Sequence, residues 1–524
     1  MKFYLLLCIA TVAQAANAQT FRETREKVAE LIEKYNVKFG VSSSAFQYEG
    51  ACNESGKGET MWSRFTHEHP EKIHDHSTAD ISVDSYHNLE RDINMLKFLG
   101  VHFYRLSISW SRLLPTPILH DGVSQEALQY YHNLIDQLIA NNITPIVTLS
   151  HFDLPISVSD LGGWTNAETI DYFVHFARIV FDNFADKVNV WVTINQLDIA
   201  CAFQYGFDPL PPSKEESGVA VYLCLRNTFM AHAKVYHLYK QKYNEKNQGL
   251  IGLVTRLDLF EPMSNSTEDL EFIQMFRKII SGIYWDPIFS QHGDYPEIFK
   301  EKVSKKSKEQ GFHKSRLTLF TKDEVEYIRN TSDFFGLNYY TPNRIYRNQK
   351  DANITVGDIK FNIKIPSFLD DINYYFAPPD PNWEPTENPR IMDYPEGLKK
   401  VLLYIKNTYN NPKVLIMENG CATARDTLDN YNCVKYFKGH LDALYDAVVN
   451  EGCNVQSYGI WSLMDSFEWI EGYVYRYGLF RTNFTDAKRS TQPKATAYFF
   501  KEILDGFPKI HLLILKKSKA APRN

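Results

Sequence analysis

Polar residues stand directly after short apolar runs at several places in this sequence, and their side chains could bind a ligand rich in hydroxyl groups. One run ends in Glu418 and Asn419, and another ends in Asn195 and Gln196. Carboxylate, amide and imidazole groups hydrogen-bond hydroxyls in fixed directions, and indole rings stack on C–H surfaces. Residues of these types that follow other apolar runs are Gln47, His151, Asn338, Tyr340, Trp461, Glu468 and Trp469.

Eight short apolar runs, each followed by a longer amphipathic stretch, would position these residues. The runs favour β-strands, and segments such as 128–140 and 172–184 have apolar residues at helical spacing. This alternation predicts an α/β protein with eight parallel strands closed into a (β/α)8 TIM barrel. The C-terminal ends of such strands meet at one mouth, where the polar residues should converge. The predicted strands are 38–44, 101–107, 144–149, 188–194, 250–254, 334–338, 414–417 and 455–461.

Length and composition fit one large domain. The chain has 524 residues, of which 44% are hydrophobic, so it can bury a large core. A net charge of −6 with both signs interspersed gives no reason to expect nucleic-acid binding. No His, Cys or Asp cluster has the spacing of a metal site. The interval between the fifth and sixth strands and the Pro-rich stretch 377–388 are predicted to be long loops over the barrel mouth.

The N-terminus predicts a secreted or lumenal protein. Residues 1–18 have one Lys, an apolar run and then small residues, which is typical of a signal peptide. The catalytic domain would then span 19–509, with a basic tail at 510–524. Six cysteines follow the signal peptide and allow 15 connectivities, among which we select Cys201–Cys224. The N-glycosylation sequons are at Asn53, Asn142, Asn265, Asn330, Asn353 and Asn483, and Asn142, just before a buried strand, is the weakest candidate.

Seven segments of the chain occur in the order in which similar segments occur in a known protein family. They are FGVSSSAFQYEGA (39–51), FYRLSISWSRLLPT (103–116), VTLSHFDLP (147–155), FFGLNYYTP (334–342), YPEGL (394–398), LIMENG (415–420) and IWSLMDSFEWIEGY (460–473). In this order they resemble glycoside hydrolase family 1, the β-glucosidase family. The resemblance runs from about Lys38 to Leu504, which is nearly the whole mature chain.

The resemblance implies a retaining mechanism, in which two carboxyl groups stand about 5 Å apart. Glu418 matches the family's nucleophile, which attacks the anomeric carbon and forms a glycosyl-enzyme. Arg105 and Tyr340 match residues that contact this carboxylate and stabilise its charge. Asn338, at the end of the sixth strand, is a further candidate for substrate binding. The implied pocket for a glucose-like unit consists of Gln47, His151, Asn195, Trp461, Glu468 and Trp469.

The sequence departs from the family at the acid/base position on the fourth strand. The family has Asn-Glu-Pro there, whereas this chain has Asn195-Gln196-Leu197. Gln196 can donate a hydrogen bond but cannot protonate a leaving group, which for an alkyl glucoside should cost roughly 10²–10⁴-fold in rate. One branch of the family, the plant myrosinases, also carries Gln here. Their glucosinolate substrates release a sulfated thiohydroximate, which leaves without protonation, and ascorbate serves as the base for water.

A second departure lies beside the YPEGL segment. Arg390 stands where the family often has a Trp, and a guanidinium presents planar donors suited to a sulfate or another oxyanion. The alternative is a solvated loop residue that pairs with Asp393 or with nothing. Asp198, two residues after Gln196, is a weaker candidate for a substitute base, because strand alternation does not assure that it faces the same way.

We therefore expect a secreted β-glucosidase-type hydrolase, and specifically a myrosinase-like β-thioglucosidase that cleaves glucosinolates. One alternative is a β-glucosidase or transglucosidase for O-glucosides with activated leaving groups, and another is a catalytically lapsed sugar-binding homologue. The expected partner is a small β-glucoside or glucosinolate, not a nucleic acid or a membrane. No bound cofactor is expected, ascorbate could act as an external base, and a homodimer is one open alternative for the oligomeric state.

Overall fold

A computed structural model describes most of the chain. The described residues are 21–116, 122–206, 210–212, 216–244, 248–347, 354–356, 359–361 and 365–506. The predicted signal peptide (1–18), the basic tail (510–524) and the sequon at Asn353 lie outside the described residues. Of the other sequons, Asn53, Asn142, Asn265 and Asn330 are exposed.

A closed barrel of eight parallel strands forms the centre of the molecule, which confirms the predicted fold class. Neighbouring strands follow the order of the chain, and the first strand pairs with both the second and the eighth. Each strand overlaps its predicted run. The strands are β1 (Lys38–Ser42), β2 (Phe103–Ser107), β3 (Thr144–Ser150), β4 (Val190–Asn195), β5 (Leu250–Arg256), β6 (Phe335–Asn338), β7 (Val414–Glu418) and β8 (Val455–Trp461).

A long helix follows each barrel strand and packs on the outside. The helices are α1 (Leu89–Leu99), α2 (Gln125–Ala140), α3 (Glu168–Phe184), α4 (Ser217–Lys242), α5 (Thr267–Phe289), α6 (Glu396–Thr408), α7 (Tyr431–Tyr445) and α8 (Ala495–Leu504). Local sequence explains their bounds. Ser124 and Ser266 cap α2 and α5 by accepting a backbone N–H of the first turn. Buried Phe173, Phe176 and Val180 recur at helical spacing on the inner face of α3.

Further elements lie in the connections. Additional helices and helical turns span Ala45–Tyr48, Met61–Glu68, Pro70–Lys72, Trp110–Leu113, Ile156–Asp160, Gly163–Thr165, Asp198–Phe203, Glu297–Glu309, Lys322–Ile328, Phe368–Ile372, Asp446–Asn450 and Trp469–Glu471. Short strands outside the barrel span Leu259–Pro262, Pro342–Arg347, Ile354–Val356, Ile359–Phe361, Tyr374–Phe376, Glu384–Pro385, Met392–Asp393, Phe480–Thr482 and Thr491–Pro493.

Apolar side chains cover both faces of the barrel strands. One cluster consists of Phe103, Ile146, Val190, Val192, Val254, Phe334, Leu415 and Met417. A much larger cluster joins the strands to the surrounding helices. Strands that are buried on both faces read as continuous apolar runs, which is why they could be recognised in the sequence.

The interval between β5 and β6 differs from the predicted loop. It contains α5 and the helices Glu297–Glu309 and Lys322–Ile328. The Ser266 cap and the acidic first turn that follows it are helix signals, and the prediction of a loop did not take them into account. The stretch 377–388 reaches the barrel mouth at its last residue, Asn388, which lines a cavity.

Two disulfides join connecting segments to helices. Cys201, just after β4, is bonded to Cys224 of α4, which is the predicted pair. Cys421, just after β7, is bonded to Cys433 of α7. No helix in the described part of the chain has both the length and the apolarity needed to span a membrane.

Candidate active site

Glu418, the predicted nucleophile, is the last residue of β7 and lines a cavity at the C-terminal end of the barrel. Its side chain is buried, and both carboxylate oxygens have donors. Arg105 donates from Nη1 to Oε1 at 2.5 Å, and the Tyr340 hydroxyl donates to Oε2 at 2.8 Å. Burial and then the Glu418 charge raise the pKa of Tyr340 well above its ordinary value. The phenol therefore keeps its proton and holds the carboxylate in one orientation.

Arg105 connects Glu418 to the end of the fourth strand. Its Nη2 donates to Asn195 Oδ1 at 2.7 Å, and its Nε donates to Thr148 Oγ1 at 3.0 Å. Asn338 Nδ2 donates to the same Asn195 oxygen at 3.2 Å. These side chains come from β2, β3, β4, β6 and β7, so the strand ends converge as the barrel requires.

His151 and two indole rings form one wall of the cavity. Asn195 Nδ2 donates to His151 Nε2 at 3.1 Å. Burial, followed by the charge of Arg105, lowers the pKa of His151 well below its ordinary value, so the ring is neutral. The centroid of His151 lies 5.8 Å from that of Trp461 and 6.2 Å from that of Trp469, with interplanar angles of 24° and 12°. Such rings can pack against the C–H face of a sugar.

Gln47 and Glu468 form a second polar group at the same mouth. Gln47 Nε2 donates to the Phe467 carbonyl at 2.7 Å and lies 3.3 Å from Glu468 Oε2. Ser44 donates to Gln47 Oε1 at 2.7 Å, which orients the amide. Burial raises the pKa of Glu468 well above its ordinary value, against the opposing hydrogen bonds of Trp461, Ser466 and Gln47. These two side chains offer donors and acceptors to hydroxyl groups.

Gln196 occupies the cavity wall beside Glu418, and the backbone there is irregular. The pairing of β4 with β5 shifts register between Val192 and Asn195. Gln196 then adopts a φ of 47°, in the left-handed region, while its N–H donates to the Val254 carbonyl at 2.7 Å. Strained backbone of this kind clusters at functional sites. The amide of Gln196 thus lies in the same cavity as the carboxylate of Glu418.

The predicted site residues divide into two groups in this structure. Those that line the cavity are His151, Gln196, Tyr340, Arg390, Glu418, Trp461, Glu468 and Trp469. Gln47, Arg105, Asn195 and Asn338 lie behind them, essentially inaccessible to solvent, and hydrogen-bond to members of the first group or to one another. The cavity has a volume of about 320 Å³.

A charged cluster in the cavity wall joins Asp198, which the sequence analysis considered as a substitute base, to two residues that it did not identify. It consists of Asp198, Arg256 and Asp258, all of which line the cavity. Arg256 Nε lies 3.1 Å from Asp198 Oδ2 and 3.6 Å from Asp258 Oδ2. Arg256 ends β5 and Asp258 follows it, so the strand-end rule that selected the other residues could also have selected these two. The predicted fifth strand, 250–254, stops before both residues, whereas the observed strand continues to Arg256.

Arg390 pairs with a carboxylate other than the one considered from the sequence. Its Nη2 donates to Oε1 of Glu471, which also lines the cavity, and not to Asp393. The other oxygen of Glu471, Oε2, lies 3.2 Å from Nδ1 of His74. The Arg390 side chain is 24% exposed. Arg390 therefore belongs to the cavity wall, but its charge is already opposed by Glu471.

A (β/α)8 barrel with a buried, doubly hydrogen-bonded carboxylate in an amide- and Trp-lined cavity has the features of a retaining glycosidase. Residues 34–506 match the model of glycosyl hydrolase family 1, and the chain belongs to that family. It is 37% identical over 467 residues to myrosinase 1 of Brevicoryne brassicae, covering 89% of this chain and 97% of that protein. It is 35% identical over 472 residues to human cytosolic beta-glucosidase, covering 89% and 96% of the two chains.

Solved structures of the family superimpose closely. An aphid myrosinase has a TM-score of 0.83 at 36% identity, covering 90% of this chain and 98% of that one. A Glu-to-Gln mutant of a rice beta-glucosidase, in a covalent complex with glucose, has a TM-score of 0.81 at 32% identity, covering 89% and 98%. This protein is thus a hydrolase of the β-glucosidase type, and its relatives include proteins named as myrosinases and proteins named as beta-glucosidases.

Proposed function

We propose that this protein hydrolyses β-glucosides whose leaving group departs as a stable anion, and that β-thioglucosides of the glucosinolate type are its substrates. The observation that carries the proposal is Gln196, an amide in the wall of the cavity that contains Glu418. The amide cannot transfer a proton near neutral pH, so the leaving group must depart without one.

The first step needs only the groups that surround Glu418. A carboxylate oxygen of Glu418 attacks the anomeric carbon while the C–S bond breaks, and the electron pair leaves on the thiohydroximate sulfur. Arg105 and Tyr340 orient the attacking carboxylate. The product is a glycosyl ester of Glu418. The covalent glucose complex of the rice Glu-to-Gln mutant supports the idea that a member of this family with one such substitution can form that ester.

The second step requires a base that Gln196 does not supply. Water attacks the anomeric carbon of the ester, the bond to Glu418 breaks, and a proton must leave the water. A small external base such as ascorbate would accept that proton. Gln196 can hydrogen-bond the water and orient it.

Arginines in the cavity wall support an anionic leaving group. Arg390 and Arg256 both line the cavity and can donate to a sulfate. Each already faces a carboxylate, Glu471 and Asp198 respectively, so a sulfate would have to share or displace that partner.

A substrate panel tests the proposal. The purified protein is assayed on a glucosinolate, a 4-nitrophenyl glucoside and an alkyl glucoside, with and without ascorbate or azide. We expect the glucosinolate to be hydrolysed, ascorbate to accelerate it, and the alkyl glucoside to resist. Rapid hydrolysis of the alkyl glucoside without an added base would contradict the proposal that this protein lacks an acid catalyst.

Replacement of Arg390 tests the sulfate contact separately. We expect Arg390→Ala to raise KM for a glucosinolate by roughly tenfold or more, the effect of one lost charge-assisted hydrogen bond, while KM for 4-nitrophenyl glucoside changes little. Glu471→Gln is the matched control, because it removes the negative charge that opposes Arg390 and should lower KM for the glucosinolate. Equal changes for both substrates would remove the sulfate argument.

The paired arginines also favour a second candidate. An O-glucoside with an activated, uncharged aglycone would enter this cavity without disturbing either ion pair, and much of the wall is apolar, including Phe203, Phe260, Ile280 and Phe376. If azide accelerates the hydrolysis of 4-nitrophenyl glucoside and the glucosinolate is not hydrolysed, this second candidate is the function. Glucose binding with no turnover of any substrate would select a lapsed sugar-binding protein.

A further inference from the structure

Beyond Gln196, the cavity has an outer region that the sugar-binding residues do not occupy. We define the outer region by Asp198, Arg256, Asp258, Phe260 and Ile280, all of which line the cavity. Asp198 comes two residues after Gln196, and Asp258 comes two residues after Arg256, which ends β5, so both belong to the segments that follow the strand ends. A leaving group attached to a sugar beside Glu418 would project into this region.

Asp258 differs from the other charged groups of the outer region because one of its oxygens has no partner. Its side chain is only 6% exposed. Oδ2 accepts a hydrogen bond from Asn343 Nδ2 at 3.2 Å and faces Arg256 at 3.6 Å. Oδ1 is buried and has no hydrogen bond from any described residue.

Arg256 does not satisfy this oxygen, because it is committed elsewhere. Its Nε lies closer to Asp198, at 3.1 Å, and its guanidinium stands over the Phe203 ring at 5.5 Å from the centroid. Asp198 is held in turn by Thr255, which donates to its Oδ1 at 3.2 Å. A buried carboxylate oxygen without a donor is costly unless a ligand or water supplies one.

Asp258 also borders a second cavity of about 320 Å³ behind the strand Leu259–Pro262. The two cations there, Arg277 and Lys400, share one carboxylate, Glu261, at 2.7 and 2.8 Å. A water molecule in that second cavity is the alternative hydrogen-bond donor to Oδ1. Binding measurements with matched ligands distinguish this water from a donor on the substrate.

We infer that Asp258 determines leaving-group specificity by accepting a hydrogen bond from a hydroxyl or amino group on the part of the substrate that occupies the outer region. The inference rests on the proposed function only in placing the leaving group there. A site with a buried acceptor rejects an analogue that lacks the donor, because the acceptor is then left without a partner.

The charge state of Asp258 fits an acceptor. Burial raises its pKa to about 6, and the nearby Asp198 acts in the same direction, while Arg256, Asn343 and the backbone of Thr341 oppose the shift. Above that pH the carboxyl is mainly ionised and can only accept. A hydrogen bond to a charged group corresponds to roughly a 10- to 100-fold change in binding.

The test measures binding to the full chain carrying Glu418→Gln, which removes turnover. The probes are phenyl β-glucoside and its 3-hydroxy, 4-hydroxy and 4-amino derivatives, which are uncharged and differ only in the donor. We expect at least one donor-bearing probe to have a Kd roughly tenfold or more below that of phenyl β-glucoside. Adding Asp258→Leu should abolish this ratio, and Asp258→Asn should reduce it.

Asp286→Asn in the same background is the matched control, since it changes a carboxyl that accepts a hydrogen bond from Tyr409 at 2.9 Å and is not among the residues that line the cavity. It should leave the ratio unchanged. Equal Kd values for all four probes, or a ratio that survives in a folded Asp258→Leu protein, would overturn the inference and assign Oδ1 to the second cavity. Should Asp258→Leu fail to fold, the ratio in the Asp258→Asn protein decides. Because binding is measured without turnover, this result is independent of the substrate panel.

Discussion

Gln196 illustrates how an amide in place of a carboxyl group can determine which substrates a glycosidase hydrolyses. The side chains that orient Glu418 are in place, and each carboxylate oxygen has a donor at 2.5 or 2.8 Å. In the proposed mechanism, attack on the anomeric carbon therefore does not depend on residue 196. Departure of a basic alkoxide does depend on it, because the alkoxide needs a proton that an amide cannot provide. The proposed consequence is selectivity by leaving-group stability.

Restoring a carboxyl group at this position should widen that selectivity. We expect Gln196→Glu to raise hydrolysis of an alkyl glucoside by roughly 10²–10⁴-fold and to produce a bell-shaped pH profile of kcat/KM. Initial rates with the alkyl glucoside and with a glucosinolate measure the change. Gln196→Asn is the matched control, which shortens the amide and should give no gain. An unchanged alkyl glucoside rate in a folded Gln196→Glu protein would contradict the role proposed for this residue.

Tyr340 tests the other half of the site. Tyr340→Phe removes the hydrogen bond to Glu418 Oε2 and leaves the ring in place. We expect kcat to fall by roughly 10- to 100-fold with KM little changed, because the bond orients the nucleophile and does not bind the ground state. Tyr477→Phe, a neighbouring ring at 6.3 Å from Tyr340, is the control and should have a smaller effect on kcat.

At the scale of elements, irregularities in the barrel strands aim the two central side chains. The pairing of β4 with β5 shifts between Val192 and Asn195, and that of β7 with β6 shifts between Ile416 and Glu418. Such shifts bend a strand and redirect the residue that follows. Both occur at the mouth, where a regular strand would alternate its side chains between the inside and the outside of the barrel.

The segment that follows Gln196 is fastened to α4 by the Cys201–Cys224 disulfide, across a sequence separation of 23. Removing the bond with Cys201→Ala and Cys224→Ala frees a loop of that length in the unfolded chain, and we expect the free energy of unfolding to fall by about 3 kcal/mol. Urea unfolding of the oxidised proteins measures the change. Cys52→Ala, at a cysteine without a disulfide, should change it little. An unaltered midpoint in the double variant would contradict a stabilising role for the bond.

At the scale of the molecule, buried histidines couple stability to pH. Burial lowers the pKa of His232 to about 3 and that of His440 to about 4. The unfolded chain binds protons at these positions below about pH 6.5, whereas the folded protein does not. Stability from these two groups is therefore fully present above about pH 6.5 and is lost as the pH falls toward 4.

His440→Gln should make this loss shallower. His440 stacks on Tyr436 at 3.9 Å and donates to its carbonyl at 2.8 Å, so the variant loses stability at neutral pH. Between about pH 6 and 4.5, however, the free energy of unfolding should fall less steeply, by up to about 1.4 kcal/mol per pH unit, which corresponds to one proton. Urea unfolding across this range measures the slope, and the exposed His313→Gln is the control. Equal slopes would exclude His440 as a proton-linked group.

The sequence by itself determined the barrel, because strands buried on both faces leave apolar runs that end in polar residues. It also placed Glu418, His151, Asn195 and Gln196 at one mouth, since all parallel strands of a barrel end there. Only the tertiary structure decided that Arg390 faces Glu471, and that Arg256 lies between Asp198 and Asp258. Contacts of this kind join connecting segments far apart in the chain, and no periodicity of the sequence encodes the distance between them.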